Sequence, residues 1–210
     1  GHVCSDLRRR ILDVGSAGGA FLKAAADLGF APVGCEPSKW LSEWGRKEYG
    51  LDLRAGTLHD QSFSASEFDV VTLWDVIEHL SDPRGVLREI NRVLKDDGLL
   101  IVNYPDIGSL PARALGGRWP FLLNVHLYYF TRHTLPKLLE CEGFETIECV
   151  PFSQTLYVGY ILERASAYVG AAKYAQKLIE AIGLGNVPIT YFIGQTLLTA
   201  RKRRGGGASA

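Results

Sequence analysis

The stretch Ile11-Leu12-Asp13-Val14-Gly15-Ser16-Ala17-Gly18-Gly19 decides how the rest of this sequence is read. Arg9 to Val14 is a short aliphatic run of the kind that forms a buried strand, and the glycines that follow turn the chain sharply at its end. Ala20 to Leu28 then has the Ala/Leu content of a helix, with Gly29 as its stop. Strand, glycine-rich turn and helix make the first half of a βαβ unit, and the alternation continues outward from it. Ala31 to Cys35 reads as a second strand, Ser38 as the N-cap of a helix running to about Tyr49 before Gly50, and Leu51 to Ala55 as a third strand. Phe68 to Trp74 is almost continuously apolar, as a central strand covered on both faces should be. Asp82-Pro83 opens a helix in which Val86, Leu87, Ile90, Val93 and Leu94 recur at helical spacing, with a stop at Asp96-Asp97-Gly98. Leu99 to Asn103 is a fifth strand, Thr131 caps a helix through about Cys141, Phe144 to Phe152 is a sixth strand and Ile189 to Ala200 a seventh. Between the last two, Val169, Ala172, Ala175, Ile179 and Ile182 are spaced as in one or two amphipathic helices.

Composition narrows the possibilities further. A chain of 210 residues that is 47% hydrophobic can bury one substantial core, and no repeat or linker divides it. Its 23 basic and 23 acidic residues cancel, which argues against a nucleic-acid surface. The basic run Arg201 to Arg204, without interleaved aromatics, reads as a solvated end leading into a flexible Gly205–Ala210 tail. Charged residues interrupt every apolar run before the roughly 18 residues of a membrane span are reached. Glu163, Arg164, Lys173, Lys177 and Glu180 are mixed in sign, so the 163–182 region offers at most a transient contact with a membrane surface. Cys4, Cys35, Cys141 and Cys149 are scattered without a C-x-x-C pair, which predicts neither a metal site nor a disulfide framework and makes a reducing, cytoplasmic setting the expectation. Met is absent even at position 1, so the start is expected to be a processing boundary with residues missing upstream, and the sequence leaves open whether these supply a lid over the site.

In an open α/β sheet, ligands sit beyond the carboxyl ends of the strands where the strand order reverses. The segments there are Asp13 to Gly19, Glu36-Pro37-Ser38, Gly56-Thr57-Leu58 and Asp75 to His79. The glycine-rich turn alone serves equally for a nucleotide-like ligand or for a tight corner. A P-loop is excluded, since no Lys-Ser or Lys-Thr follows the glycines. Glu36 lies 21 positions after Gly15, the spacing of a ribose-binding carboxylate in nicotinamide enzymes, but Ala17 and Ala20 occupy two of that fingerprint's glycine positions. Asp13 also places a negative charge at the mouth of the turn, adverse to a pyrophosphate and favourable to an ammonium or sulfonium. S-adenosylmethionine carries both cations and no phosphate.

Four blocks in order, ILDVGSAGG (11 to 19), VGCEPS (33 to 38), FDVVTLWDVIEHLSDP (68 to 83) and LKDDGLLIVNYPD (94 to 106), resemble the class I S-adenosylmethionine-dependent methyltransferases of the small-molecule branch. Trp119 and the segment HLYYFTRHTLPKLLECEGF (126 to 144) look like the part that leads into the last helix and hairpin of the ubiquinone-biosynthesis-like methyltransferases. The resemblance runs from about Arg9 to Gly143 and returns weakly at 190 to 202. It implies an α/β, Rossmann-like three-layer sandwich: a seven-stranded, mostly parallel sheet whose last strand is antiparallel, with a helical insertion before that strand. One domain over 1–204 would have a cofactor half at about 8–106 and an acceptor half at about 107–202. Carried over residue by residue, the resemblance sets Gly15, Ser16 and Gly19 against the methionine part of the cofactor, with Asp13 stabilising the turn. Glu36 and the adjoining Pro37 meet the ribose, Thr57 and Leu58 border the adenine, and Asp75, with Trp74 and Val76, faces the methionine ammonium. Ala17 stands where the family has its second glycine, and Thr57 where it often has an acidic residue.

On the acceptor side stand Trp119, His126, Tyr128 and Tyr129. His126 would take the proton of a hydroxyl acceptor or anchor its loop to a backbone carbonyl; His79, one turn after Asp75, is either a second catalytic candidate or a structural residue. The expected function is methyl transfer to oxygen or carbon of a bulky, hydrophobic or quinone-like small molecule, with no metal. The rivals are a nicotinamide-dependent oxidoreductase on a similar sheet and a non-catalytic cofactor-binding module.

Overall fold

The computed structural model of the protein describes residues 9–166 and 170–204; Cys4, Val169 and the Gly205–Ala210 tail lie outside the described residues. Seven strands alternate with helices: β1 (Arg10–Val14), α1 (Ala20–Asp27), β2 (Ala31–Glu36), α2 (Lys39–Tyr49), β3 (Asp52–Ala55), β4 (Phe68–Trp74), α3 (Pro83–Val93), β5 (Leu94–Pro105), α4 (Leu110–Leu115), α5 (Thr134–Cys141), β6 (Phe144–Tyr157), α6 (Val158–Ser166), α7 (Gly170–Ala181) and β7 (Pro188–Lys202). The sheet order is β3-β2-β1-β4-β5-β7-β6. The first five strands pair in parallel, and β7 runs antiparallel to β5, with Pro105 opposite Gln195 and Leu99 opposite Arg201. Strand order reverses at β1, so the crevice lies between the carboxyl ends of β1 and β4.

Backbone contacts divide the chain into two compact units. The first comprises the described residues up to Val150 together with those from Gly194 onward. Its sheet is apolar on both faces, as the unbroken hydrophobic run of β4 requires. Leu12, Val14, Val71 and Leu73 point to one face, where Leu87, Ile90 and Val93 of α3 and Leu135 and Leu139 of α5 complete the larger core. Ile11 and Val70, on the opposite pleat, meet Phe21 and Ala25 of α1. The second unit, Pro151–Ile193, holds the outer parts of β6 and β7 with α6 and α7 between them. In it the Thr155 and Thr190 hydroxyls lie 2.7 Å apart, and the Tyr191 hydroxyl donates to Gln154 Oε1 at 3.0 Å.

Local signals set most of the boundaries. Ser38 accepts from the Leu41 N–H at 3.3 Å, and Gly50 closes α2 with φ +66°. Asp82 caps α3 through the Gly85 N–H at 2.9 Å, ahead of Pro83. The stop of that helix differs from the sequence expectation. It ends at Val93, and Leu94 already pairs with Phe68 of β4, so Asp96-Asp97-Gly98 forms an irregularity inside β5. Burial of Leu94 in the core outweighs the helical spacing that extends α3 to this residue in sequence. The Thr131 hydroxyl accepts the His133 and Thr134 N–H groups at 3.2 and 3.1 Å, but regular helix begins only at Thr134. β6 and β7 also run longer than their apolar cores predict, because their outer ends belong to the second unit.

Candidate active site

The turn after β1 is wound by three left-handed residues, Gly15 (φ +73°), Ala17 (φ +46°) and Gly19 (φ +82°). Four of its N–H groups are bonded within the protein. Gly15 and Ser16 both donate to the Cys35 carbonyl at 2.9 and 3.1 Å, Ala17 donates to Glu36 Oε2 at 2.9 Å, and Gly19 donates to the Ser16 carbonyl at 2.8 Å. The other Glu36 oxygen accepts the Ser38 N–H at 2.8 Å, so one buried carboxylate ties the β1 turn to the start of α2. Each oxygen keeps an acceptor position for a second donor. A turn that spends its N–H groups this way is no anion nest.

Asp13 is 2% exposed, and its Oδ1 accepts the Thr72 hydroxyl of the paired strand at 2.7 Å. Burial raises its carboxyl to about 7; the Thr72 hydrogen bond opposes that shift and the charge of Glu36 adds to it. The folded value lies above the ordinary carboxylate value, so between pH ~4 and ~7 the native state holds a proton that the unfolded chain releases. That contribution to stability is complete below the window and is lost as pH rises through it. Asp13→Asn is expected to flatten the fall in stability across this window by up to about 1.4 kcal/mol per pH unit. Urea denaturation at several pH values reads the slope directly; parallel curves for the two proteins would remove Asp13 as its source.

Beside the turn opens a pocket of about 290 Å³ walled by Val14, Cys35, Pro37, Leu58, Val76 and Leu80, with Gly15 and Thr57 at its edge. Thr57 does not present a free hydroxyl there, since both its N–H and its Oγ1 donate to Asp60 Oδ2 at 2.7 Å. A Cβ on Gly15 would stand 2.6 Å from Val76 Cγ2, and one on Gly19 would stand 3.0 Å from Leu53 Cδ1. Glycine at 15 thus keeps the wall of the pocket flat.

At the end of β4, Trp74 packs its ring 5.1 Å from that of Phe21. Asp75 adopts φ +51°, rare for a residue other than glycine. Its Oδ1 accepts Gln195 Nε2 at 2.7 Å and Asn103 Nδ2 at 3.3 Å, and its N–H donates to the Asn103 carbonyl at 3.1 Å. Residues from β5 and β7 therefore hold it in that conformation. Asn103 and Gln195 escape the sequence reading, although a polar residue inside an apolar strand run is the signal that marks each.

One step further, Ile77–His79 forms a 3-10 turn against which the segment after α4 docks. Leu127 and Tyr128 donate their N–H groups to the Glu78 carbonyl at 2.8 and 3.2 Å, and the Tyr128 hydroxyl reaches the Ser81 carbonyl at 3.4 Å. The Tyr129 hydroxyl both accepts from the Leu123 N–H and donates to the Leu123 carbonyl, each at 3.1 Å. Trp119 is 2% exposed, with its ring 5.5 Å from Phe121, so it anchors the interior of this segment. His79 and His126 meet edge to face at 4.7 Å. His79 Nδ1 lies 3.0 Å from the Val125 carbonyl. Burial lowers the pKa of His126 and the neighbouring His79 adds to this, against the Phe121 backbone carbonyl. Glu78, which the sequence reading passed over, is 1% exposed.

A sheet of this order, with its cavity at the strand ends, defines the Rossmann-like methyltransferase fold. The chain matches the methyltransferase domain family over residues 4–149 and belongs to that family. Over 102 residues it is 33% identical to the ubiquinone biosynthesis O-methyltransferase of Actinobacillus pleuropneumoniae, and over 112 residues 31% identical to that of Azorhizobium caulinodans. Those stretches cover 44% and 49% of this chain and 44% of each relative, so the match spans less than half the length of those proteins. The fold is similar to that of the YcgJ protein from Bacillus subtilis, with TM-score 0.66, 18% identity and coverage of 94% and 93% of the two chains. It is also similar to a SAM-dependent methyltransferase from Archaeoglobus fulgidus, with TM-score 0.65, 16% identity and coverage of 94% and 87%. No helix among the described residues is long and apolar enough to cross a membrane.

Proposed function

We propose that this domain transfers a methyl group from S-adenosylmethionine to a hydrophobic small molecule, with a phenolic or quinone-like ring as the acceptor. The observation that carries this reading is the bonding of the Gly15, Ser16, Ala17 and Gly19 N–H groups within the protein, beside the Glu36 carboxylate. Such a turn favours a nucleoside without phosphates, and the free acceptor positions of Glu36 match the two hydroxyls of a ribose. The apolar pocket suits an adenine, and Asp75 supplies an anion for the ammonium. When bound, S-adenosylmethionine supplies an already activated methyl group on a sulfonium. The chain's task is then to hold an acceptor in line with that group and to exclude water. We assign approach of the acceptor to the segment carrying Trp119, His126, Tyr128 and Tyr129. Similarity to ubiquinone biosynthesis O-methyltransferases supports an aromatic hydroxyl as the nucleophile. The free thiols of Cys35, Cys141 and Cys149 suit a reducing compartment such as the cytoplasm.

Calorimetric titration with S-adenosylhomocysteine, with NADH and NADPH in parallel, tests this reading. Binding of the first alone at micromolar affinity is expected, and binding of a nicotinamide cofactor alone would replace the reading with an oxidoreductase. Methyl transfer from labelled cofactor to catechol-type acceptors then separates an enzyme from a non-catalytic binding module.

A further inference from the structure

The ends of β4, β5 and β7 bring together three acceptor groups with too few donors to match them. Asn103 and Gln195 are 2% and 1% exposed, and both amides turn toward Asp75. Gln195 Nε2 donates to its Oδ1 at 2.7 Å and Asn103 Nδ2 at 3.3 Å. An ionised carboxylate can only accept, so each amide must show it the NH₂ group and turn its carbonyl oxygen aside. Those oxygens, Asn103 Oδ1 and Gln195 Oε1, are buried without a hydrogen-bond partner among the described residues. Each stands one amide width from the nitrogen that meets Asp75, so both carbonyl dipoles end beside the carboxylate. A buried carbonyl left in this state is costly unless a donor completes it. Asp75 itself is exposed, and no ion pair among the described residues includes it. Its φ of +51° is the kind of backbone strain that collects where a ligand is held. Two buried amides thus form the floor, and an accessible carboxylate the rim, of a site lined by acceptors.

We propose that Asp75, Asn103 and Gln195 form a cage for a protonated primary amine on a ligand. The chemistry of the three groups selects it. A primary ammonium carries three N–H donors and one positive charge, which one carboxylate and two amide carbonyls match. A hydroxyl brings a single donor and leaves a carbonyl unmet. A trimethylammonium brings the charge without donors, and an anion is opposed by all three groups. Two ligands of the proposed reaction can bring such an amine: the amino-acid end of the cofactor, or an acceptor that carries one. The cage follows from the geometry alone, while its assignment to the cofactor rests on the methyl-transfer reading above. Asn103 and Gln195 then touch the ligand directly, a role beyond their support of Asp75.

Calorimetry on the full chain tests the cage with two pairs of ligands, the members of each differing by the amine alone. One pair is S-adenosylhomocysteine and its deaminated analogue; the other is 3,4-dihydroxyphenethylamine and 4-ethylcatechol. In the pair that uses the cage, the amine is expected to strengthen binding about ten- to a hundredfold. Gln195→Met and Asn103→Leu should each remove most of that preference and leave the affinity of the amine-free member unchanged. The trimethylated amine of the same ligand, with its charge kept and its donors gone, should bind no better than the amine-free member. Asp75→Asn should also erase the preference; it lies at an exposed position where asparagine tolerates the positive φ, so it keeps the test valid if the buried variants disturb folding. A preference in the nucleoside pair places the cofactor's amine in the cage, and a preference in the catechol pair alone places the acceptor's there. No preference in either pair, one that survives both amide variants in folded protein, or equal binding of the trimethylated and primary amines would overturn the proposal. Failure of both nucleosides to bind, beside a preference in the catechol pair, sinks the methyl-transfer reading and leaves the cage standing.

Discussion

Gly15→Ala is expected to abolish detectable binding of S-adenosylhomocysteine and to destabilise the domain by about 2–4 kcal/mol. Two costs add at this position. A residue with a side chain at φ +73° sacrifices about 1–2 kcal/mol, and the new Cβ would stand 2.6 Å from Val76 Cγ2, which has no rotatable tail to move aside. Relief of that clash shifts the wall into the 290 Å³ pocket or opens the turn that Cys35 holds. The double variant Gly15→Ala/Val76→Ala should recover the steric part of the stability loss but not the backbone part. Denaturant midpoints of the two single variants and the double variant give that coupling directly. A Gly15→Ala protein as stable as the parent would show that the turn does not meet the Val76 wall as described.

Replacing Glu36 acts on the same corner through charge and hydrogen bonding. Glu36→Ala is expected to weaken S-adenosylhomocysteine binding by about ten- to a hundredfold, the scale of losing charged hydrogen bonds. It should also lower stability by about 1–3 kcal/mol, because the Ala17 and Ser38 N–H groups lose their shared acceptor. Glu36→Gln gives an intermediate result, since an amide has one acceptor oxygen for two N–H donors, and its NH₂ faces an N–H. Calorimetric affinity and thermal midpoint measured side by side distinguish the two effects. Unchanged affinity in a folded Glu36→Ala protein would take the carboxylate out of the binding site.

The βαβ rhythm, the caps at Ser38 and Asp82 and the stop at Gly50 were legible because each depends on neighbours within a few residues. The same holds for the turn at Gly15, where a strand pattern ends in glycines. What escaped the sequence depends on distance along the chain. Leu94 leaves the helix because Phe68 offers it a strand partner, which helical spacing cannot reveal. Gln195 joins Asp75 across 120 residues and Asn103 joins it across 28, so neither stands out until the sheet brings the strand ends together. Glu78 is the sharper case. In sequence it is one more carboxylate in a polar stretch, and only the docking of residues 121–130 buries it beside His126. His79 and His126 likewise stand 47 positions apart in sequence and come together only in the fold.

The bond between Gln195 and Asp75 also bears on the order in which the molecule acquires its function as it is synthesised. The ribosome releases β1 to β4 long before β7, so the nascent chain can assemble its early βαβ units while Asp75 still lacks the amide that holds its unfavourable backbone angle. The final strand must insert between β5 and β6, an antiparallel placement that closes the longest loop in the fold. The hydrogen-bonded geometry of Asp75 at the β4 end is therefore acquired late, and a nascent chain that stalls before Gln195 carries the architecture of the pocket without that carboxylate held in place.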